Sequence, residues 1–85
     1  MYKILISKSA ERELDYFSEN ILVRVLKSIR KLEINPRPAG CKKLKGNDET
    51  LYRIRTGDYR IIYSIDDEIL IVDIRKVGHR KDIYL

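Results

Sequence analysis

The chain has 85 residues, 44% hydrophobic and 36% charged, with a formal net charge of +5. That length suits a single domain, 1–85, with an economical core, and the composition excludes a disordered chain. No apolar run approaches the roughly 20 residues of a membrane span, and one cysteine, Cys41, excludes an internal disulfide.

Tyr2 to Ser7 alternates as a short strand, with Tyr2, Ile4 and Ile6 on one face. The apolar core of a signal peptide is missing there, so the expected location is a reducing cytoplasm. Ser7 or Ser9 can cap a first helix, in whose opening turn Glu11 and Glu13 meet the positive helix end. Ala10, Leu14 and Phe17 follow at helical spacing, and Ser18-Glu-Asn20 interrupts it. A second, longer helix carries Leu22, Val25, Leu26, Ile29 and Leu32 as its buried stripe. Arg24, Lys27, Arg30 and Lys31 fall outside that stripe, on a solvated face. Asn35-Pro-Arg-Pro38 ends the helix.

Residues 35–50 read as a basic loop with a short edge strand at Lys43-Leu-Lys45, where lysine discourages further strand pairing. Cys41, among prolines, glycine and lysines, is a bystander. Leu51 to Tyr63 then reads as a β-hairpin turning at Gly57-Asp58. Thr56 lies opposite Tyr59, Arg55 opposite Arg60, and Arg53 opposite Ile62; Tyr52, Ile54, Ile61 and Tyr63 project to the other side. A turn at Asp66-Asp-Glu68 leads into a strand from Ile69 to Val77, with Leu70, Val72 and Ile74 on the Ile61 face. Asp73 and Arg75 join the arginine face, where Asp73 pairs with Arg60 or Arg75. Gly78 ends the strand.

The expected fold is α+β, in the order β-α-α-β-β-β with one further short strand. Two N-terminal helices cover one face of a mainly antiparallel sheet, and the opposite face is basic. Like charges opposed across a sheet cost a few tenths to about 1 kcal/mol. Arg53, Arg55 and Arg60 therefore form a candidate anion site, although arginine is also common on the wet face of a half-buried sheet. Residues 24–60 hold eleven Lys/Arg against four acids. A basic middle of this kind points to a polyanion such as nucleic acid, or to an acidic protein.

Lys43-Leu-Lys-Gly46, Leu51-Tyr-Arg-Ile-Arg55, Gly57-Asp-Tyr-Arg60 with Ile-Ile-Tyr63, and Val77-Gly-His-Arg80 with Tyr84 resemble the RelE family of bacterial and archaeal toxins. The resemblance implies the toxin half of a toxin–antitoxin pair: a ribosome-dependent mRNA endoribonuclease that cuts the A-site codon. The ribose 2′-hydroxyl attacks the adjacent phosphate and a 5′-hydroxyl leaves, with no metal or cofactor required. It also implies a cognate antitoxin and contacts with ribosome and mRNA. By the same resemblance, Arg60 and Arg80 stabilise the phosphorane. Tyr84 stacks on a base or moves a proton, and Arg53, Arg55, Lys43 and Lys45 bind phosphates. Some relatives have lysine where this chain has Arg53 and Arg55. Arginine keeps its proton, so His79 becomes the candidate base. The alternative is the ParE branch of the same superfold, which poisons DNA gyrase without cutting RNA.

Overall fold

A serine between the first strand and the first helix starts the helical layer. The computed structural model describes residues 1–45 and 48–82. Strand β1 (Lys3–Ile6) passes through Ser7 into α1 (Lys8–Asp15). Of the two candidate serines, Ser7 is the cap: its Oγ accepts from the Ala10 amide at 3.2 Å. It also donates to the Arg75 carbonyl at 3.2 Å, which ties the cap to the sheet. Glu11 lies in the first turn as expected. Glu13 does something else: it accepts the Val77 amide at 3.1 Å and fastens α1 to the last strand.

Helix α2 (Glu19–Lys31) begins directly after Ser18, so the interruption at Ser18–Asn20 is narrower than its polarity suggests. Glu19 and Asn20 are exposed first-turn residues. They break the apolar rhythm without breaking the helix, and Glu19 suits the positive end. Val25, Ile29 and Leu32 are buried, with Leu22 and Leu26 packed beside them.

Four more strands follow: β2 (Lys42–Lys45), β3 (Thr50–Thr56), β4 (Tyr59–Asp66) and β5 (Ile71–His79). Their order in the sheet is β1-β5-β4-β3-β2; only the β1–β5 pair is parallel. β2 is an edge strand, as its lysines imply. The hairpin register is the expected one, with Arg55 opposite Arg60, Arg53 opposite Ile62 and Tyr52 opposite Tyr63. Gly57 takes a φ of 58° while Asp58 stays in the ordinary region, the pattern of a type II′ turn.

The connection after β4 differs from the sequence reading. The strand starts at Ile71, not Ile69, and the loop is Asp67–Leu70. Asp66 Oδ1 accepts the amides of Glu68 and Ile69 and so widens the turn. Leu70, expected on the core face, is 42% exposed at a φ of 55°. The longer loop keeps the same parity, so Val72 and Ile74 still enter the core. Between Ile62 and Tyr63 the register then slips, leaving Arg75 as the extra residue of a bulge. The slip returns Val77 to the core face, opposite Ile61.

The core lies between the helices and the sheet: Ala10, Leu14, Val25, Ile29 and Leu32 meet Ile54, Ile61, Tyr63, Val72, Ile74 and Val77. Tyr63 is fully buried and donates to the Pro36 carbonyl at 2.7 Å, with Cys41 Sγ 3.4 Å away. Burial, then the Cys41 contact, pushes its phenol above the usual range. A phenol whose folded pKa is raised contributes stability that is complete below about pH 10 and lost as pH rises further. Tyr63→Phe should cost about 1–3 kcal/mol in urea unfolding at pH 7, because the Pro36 carbonyl loses its donor. The gap from the unmutated protein should then narrow above about pH 10. A constant gap would place the effect in packing.

At the far end of the sheet, Tyr2 donates to Asp67 at 2.6 Å, and Arg37 forks onto the same carboxylate at 2.8 and 3.2 Å. Those bonds hold the Asp67 carboxyl below its ordinary range. They join the residue ahead of β1, the loop after α2 and the β4–β5 turn.

Candidate nucleic-acid interface

The hairpin alternation places Arg53, Arg55 and Arg60 on the sheet face away from the helices. Ile62 shares that face and is only 1% exposed. Its neighbours across the sheet are Arg53 and Lys76, long side chains with methylene stems able to cover it. The guanidiniums thus rest on an apolar floor. Arg60 has Arg55 on one side and Gly78 on the other, so β5 sets no side chain against it.

Among the described residues none of these three arginines forms an ion pair. The Nε atoms of Arg53 and Arg60 are buried and, among the described residues, have no hydrogen-bond partner. Burial first, then the charges of Arg55 and Arg60, lowers the pKa of Arg53. Arg75, on the same side, is the contrast. Its guanidinium binds Glu49 twice at 2.9 Å, Asp73 at 2.9 Å and Ser64 at 3.2 Å. Asp73 therefore pairs with Arg75 and not with Arg60. One end of the open face is occupied by internal ion pairs, and the hairpin end keeps unspent cations.

Arg80 joins the hairpin end. Its amide donates to the Asp58 carbonyl at 2.8 Å, which folds the segment after β5 over the turn. Its Nε lies 4.0 Å from Asp58 Oδ1. Arg55, Arg60 and Arg80 then border, with Gly57 and Asp58, a hollow of about 60 Å³. A water takes about 30 Å³ of liquid, so the hollow admits a small group and not a nucleoside. Arg24 reaches the same turn from α2, its Nη2 2.9 Å from where a Cβ on Gly57 would sit. Helical spacing put Arg24 on the solvated face, and nothing in the sequence announces that this face overhangs the turn.

Other candidates lie elsewhere. His79 is opposite Tyr59, on the helix side of the sheet, with its ring edge-on to Tyr59 at 5.4 Å. Its Nδ1 accepts the Lys81 amide at 3.2 Å. Lys43 and Lys45 stand opposite Tyr52 and Thr50, also on the helix side; Lys42, opposite Arg53, is the β2 lysine on the arginine side. The run Lys42-Lys43-Leu44-Lys45 has too little alternation to reveal this. Tyr84 lies outside the described residues. Among the described residues no three His, Cys, Asp or Glu side chains gather as a metal site.

The ParE toxin family of type II toxin–antitoxin systems, parDE, matches residues 4–84. A putative toxin RelE1 of Methanocaldococcus jannaschii is 34% identical over 88 residues, spanning 98% of this chain and 94% of its own. Toxin RelG of Mycobacterium tuberculosis is 34% identical over 84 residues, spanning 98% and 95%. Among solved structures, a chain of the archaeal RelE–RelB complex from Pyrococcus horikoshii OT3 superposes with a TM-score of 0.82 at 31% identity, covering 96% of this chain and 98% of that one. A chain of the Mycobacterium tuberculosis RelBE2 complex gives 0.81 at 31%, covering 93% and 98%. Sequence and fold agree over nearly the whole length, and the chain belongs to the RelE family of toxins, within the RelE/ParE superfamily of type II toxin–antitoxin systems.

Proposed function

We propose that this chain is a ribosome-dependent mRNA endoribonuclease that cuts within the A-site codon. The observation that carries the proposal is the pair of buried, unpartnered Nε atoms on Arg53 and Arg60 beside Arg55 and Arg80. Buried donors without acceptors are costly, and a phosphate oxygen is the acceptor whose geometry a guanidinium fork fits.

In the reaction, the 2′-oxygen forms a bond to the adjacent phosphorus and the bond to the 5′-oxygen breaks. The 2′-proton leaves as attack begins, and the departing oxygen takes up a proton to become a 5′-hydroxyl. Extra negative charge gathers on the pentacoordinate phosphorus between these events. Arg60 and Arg80 meet that charge with directed donors, while Arg53 and Arg55 clamp the strand. No metal ion is needed for this task. Arginine does not act as a base at working pH, and His79 lies on the helix side of the sheet, so the proton transfers fall to Tyr84 or to a group of the substrate itself. Lys43 and Lys45, on the other side of β2, grip ribosomal RNA through its phosphates. A cognate antitoxin is the second partner, supported by the relatives crystallised as RelE–RelB complexes.

The test is primer extension on stalled ribosomes carrying a defined mRNA. The expected result is a cut inside the A-site codon and none on the same mRNA stripped of ribosomes. The match to the ParE family favours one other reading, inhibition of DNA gyrase. Intact ribosome-bound mRNA together with blocked supercoiling would replace the nuclease with that binding toxin.

A further inference from the structure

A second and larger hollow, about 530 Å³, lies between α2 and the edge of β3. It exists because β2 stops short. The two strands pair only from Thr50 to Arg53. Before β2 the chain bends through Pro38–Cys41, where the Cys41 amide bonds to the Pro38 carbonyl at 3.0 Å and Gly40 has a φ of 87°. That is the type II turn, whose third position requires glycine. Among the described residues no strand therefore flanks Ile54–Thr56 on the outer side.

The charged side chains around this cleft are Lys31, Lys42, Arg53 and Arg55, with Ser28 beside them and no carboxylate. Among the described residues neither lysine forms an ion pair. Arg55 borders both this cleft and the small hollow at the hairpin turn. The unpartnered Nε of Arg53 belongs to the same wall. A cationic track thus runs from Arg60 and Arg80, past Arg55, around the β3 edge to Lys31 and Lys42. Its volume is that of a small-ligand site, enough for a nucleotide unit.

We propose that this cleft is a second RNA subsite, taking a phosphate and its sugar next to the unit held at Arg60 and Arg80. The proposal rests on the reading of the arginine face as an RNA site and adds where the strand goes. An acidic peptide added as a strand is the competing occupant. The free edge at Ile54–Thr56 is shorter than the five or six residues (about 17–20 Å) of an ordinary strand, and this favours RNA.

Lys31 and Lys42 are both exposed, so the double variant Lys31→Ala/Lys42→Ala keeps the core intact. The probe is a fluorescein-labelled RNA hexamer, 2′-O-methylated throughout so that it cannot be cut, followed by anisotropy over a salt series. A 2′-O-methyl dinucleotide with one phosphate competes in parallel. The double variant should bind the hexamer roughly tenfold more weakly, with a salt slope shallower by about one unit. Dinucleotide competition should not change, whereas Arg60→Ala should weaken both probes.

Wild-type affinity of the double variant for the hexamer would overturn the subsite, and so would equal weakening of hexamer and dinucleotide. Selective loss of a hexaglutamate peptide would assign the cleft to a protein strand instead. Failure of the unmutated chain to cut ribosome-bound mRNA sinks the nuclease alone, because the hexamer assay requires no cleavage. Failure of the unmutated chain to bind the hexamer sinks both.

Discussion

On the proposed function, Arg60→Ala should lower single-turnover cleavage of ribosome-bound mRNA by about 10²–10³-fold, the usual loss when one preorganised oxyanion donor is removed. Arg60 is positioned for this effect by its neighbours. Gly78 across the sheet leaves it space, Ile62 beside it on the strand face is buried, and Arg55 opposite raises the local positive potential. Among the described residues its Nε has no partner to retain it in the absence of substrate. Arg60→Lys restores charge without the planar fork and should recover only part of the rate. Stability should move the other way. Removing one of two opposed arginines relieves about 0.2–1 kcal/mol of repulsion, so the alanine variant melts at or above the temperature of the unmutated protein. A folded Arg60→Ala protein that cuts at the unmutated rate would remove Arg60 from the machinery.

Ile61→Ala should cost about 2–5 kcal/mol, the range for deleting a fully buried large aliphatic side chain. Ile61 is 0% exposed and sits between Ile54 and Val77 in the middle of the sheet. A domain of this size has about 5–15 kcal/mol in total, so the variant loses a large share of its stability. Each kcal/mol lowers Tm by about 4–8 °C for chains of 60–100 residues. Ile62→Ala is the informative comparison. Its side chain is just as hidden, but its neighbours across the sheet are an arginine and a lysine, whose stems can settle into the gap. Thermal unfolding should therefore show a smaller loss at Ile62, while cleavage falls as the guanidiniums shift. Equal thermal losses at the two positions would mean that the arginine face is packed as rigidly as the core.

The parts legible in the sequence are those where two independent patterns constrained each other. The hairpin is such a case: the alternations on either side of Gly57-Asp58 agree on one register, and that register places three arginines together. The strand after it opens on an unbroken apolar run, Ile69 to Val72, which hides its start, and the bulge at Arg75 follows where the alternation has just resumed. Its single visible clue is the adjacent pair Arg75-Lys76 ahead of a buried Val77. Asp66 in an Asx-turn explains the late start, but a two-residue loop has the same composition. Arg24 could not be placed from the sequence because its position depends on how α2 lies over the turn. The arginine cluster was legible by contrast, since strand periodicity alone determines which side chains share a face.

The pairing of β1 with β5 has a consequence for how the protein comes into being. Lys3–Ile6 has its sheet partner at residues 71–74, and Arg80 comes later still. During synthesis the first strand therefore waits without its sheet partner until residues 71–74 have been made. Contacts this distant along the chain form late and slowly. Until then neither the closed sheet nor the complete arginine cluster exists on the growing chain. On the proposed function, the toxin acquires its power to cut only after Arg80 has been added and the first strand has found its place.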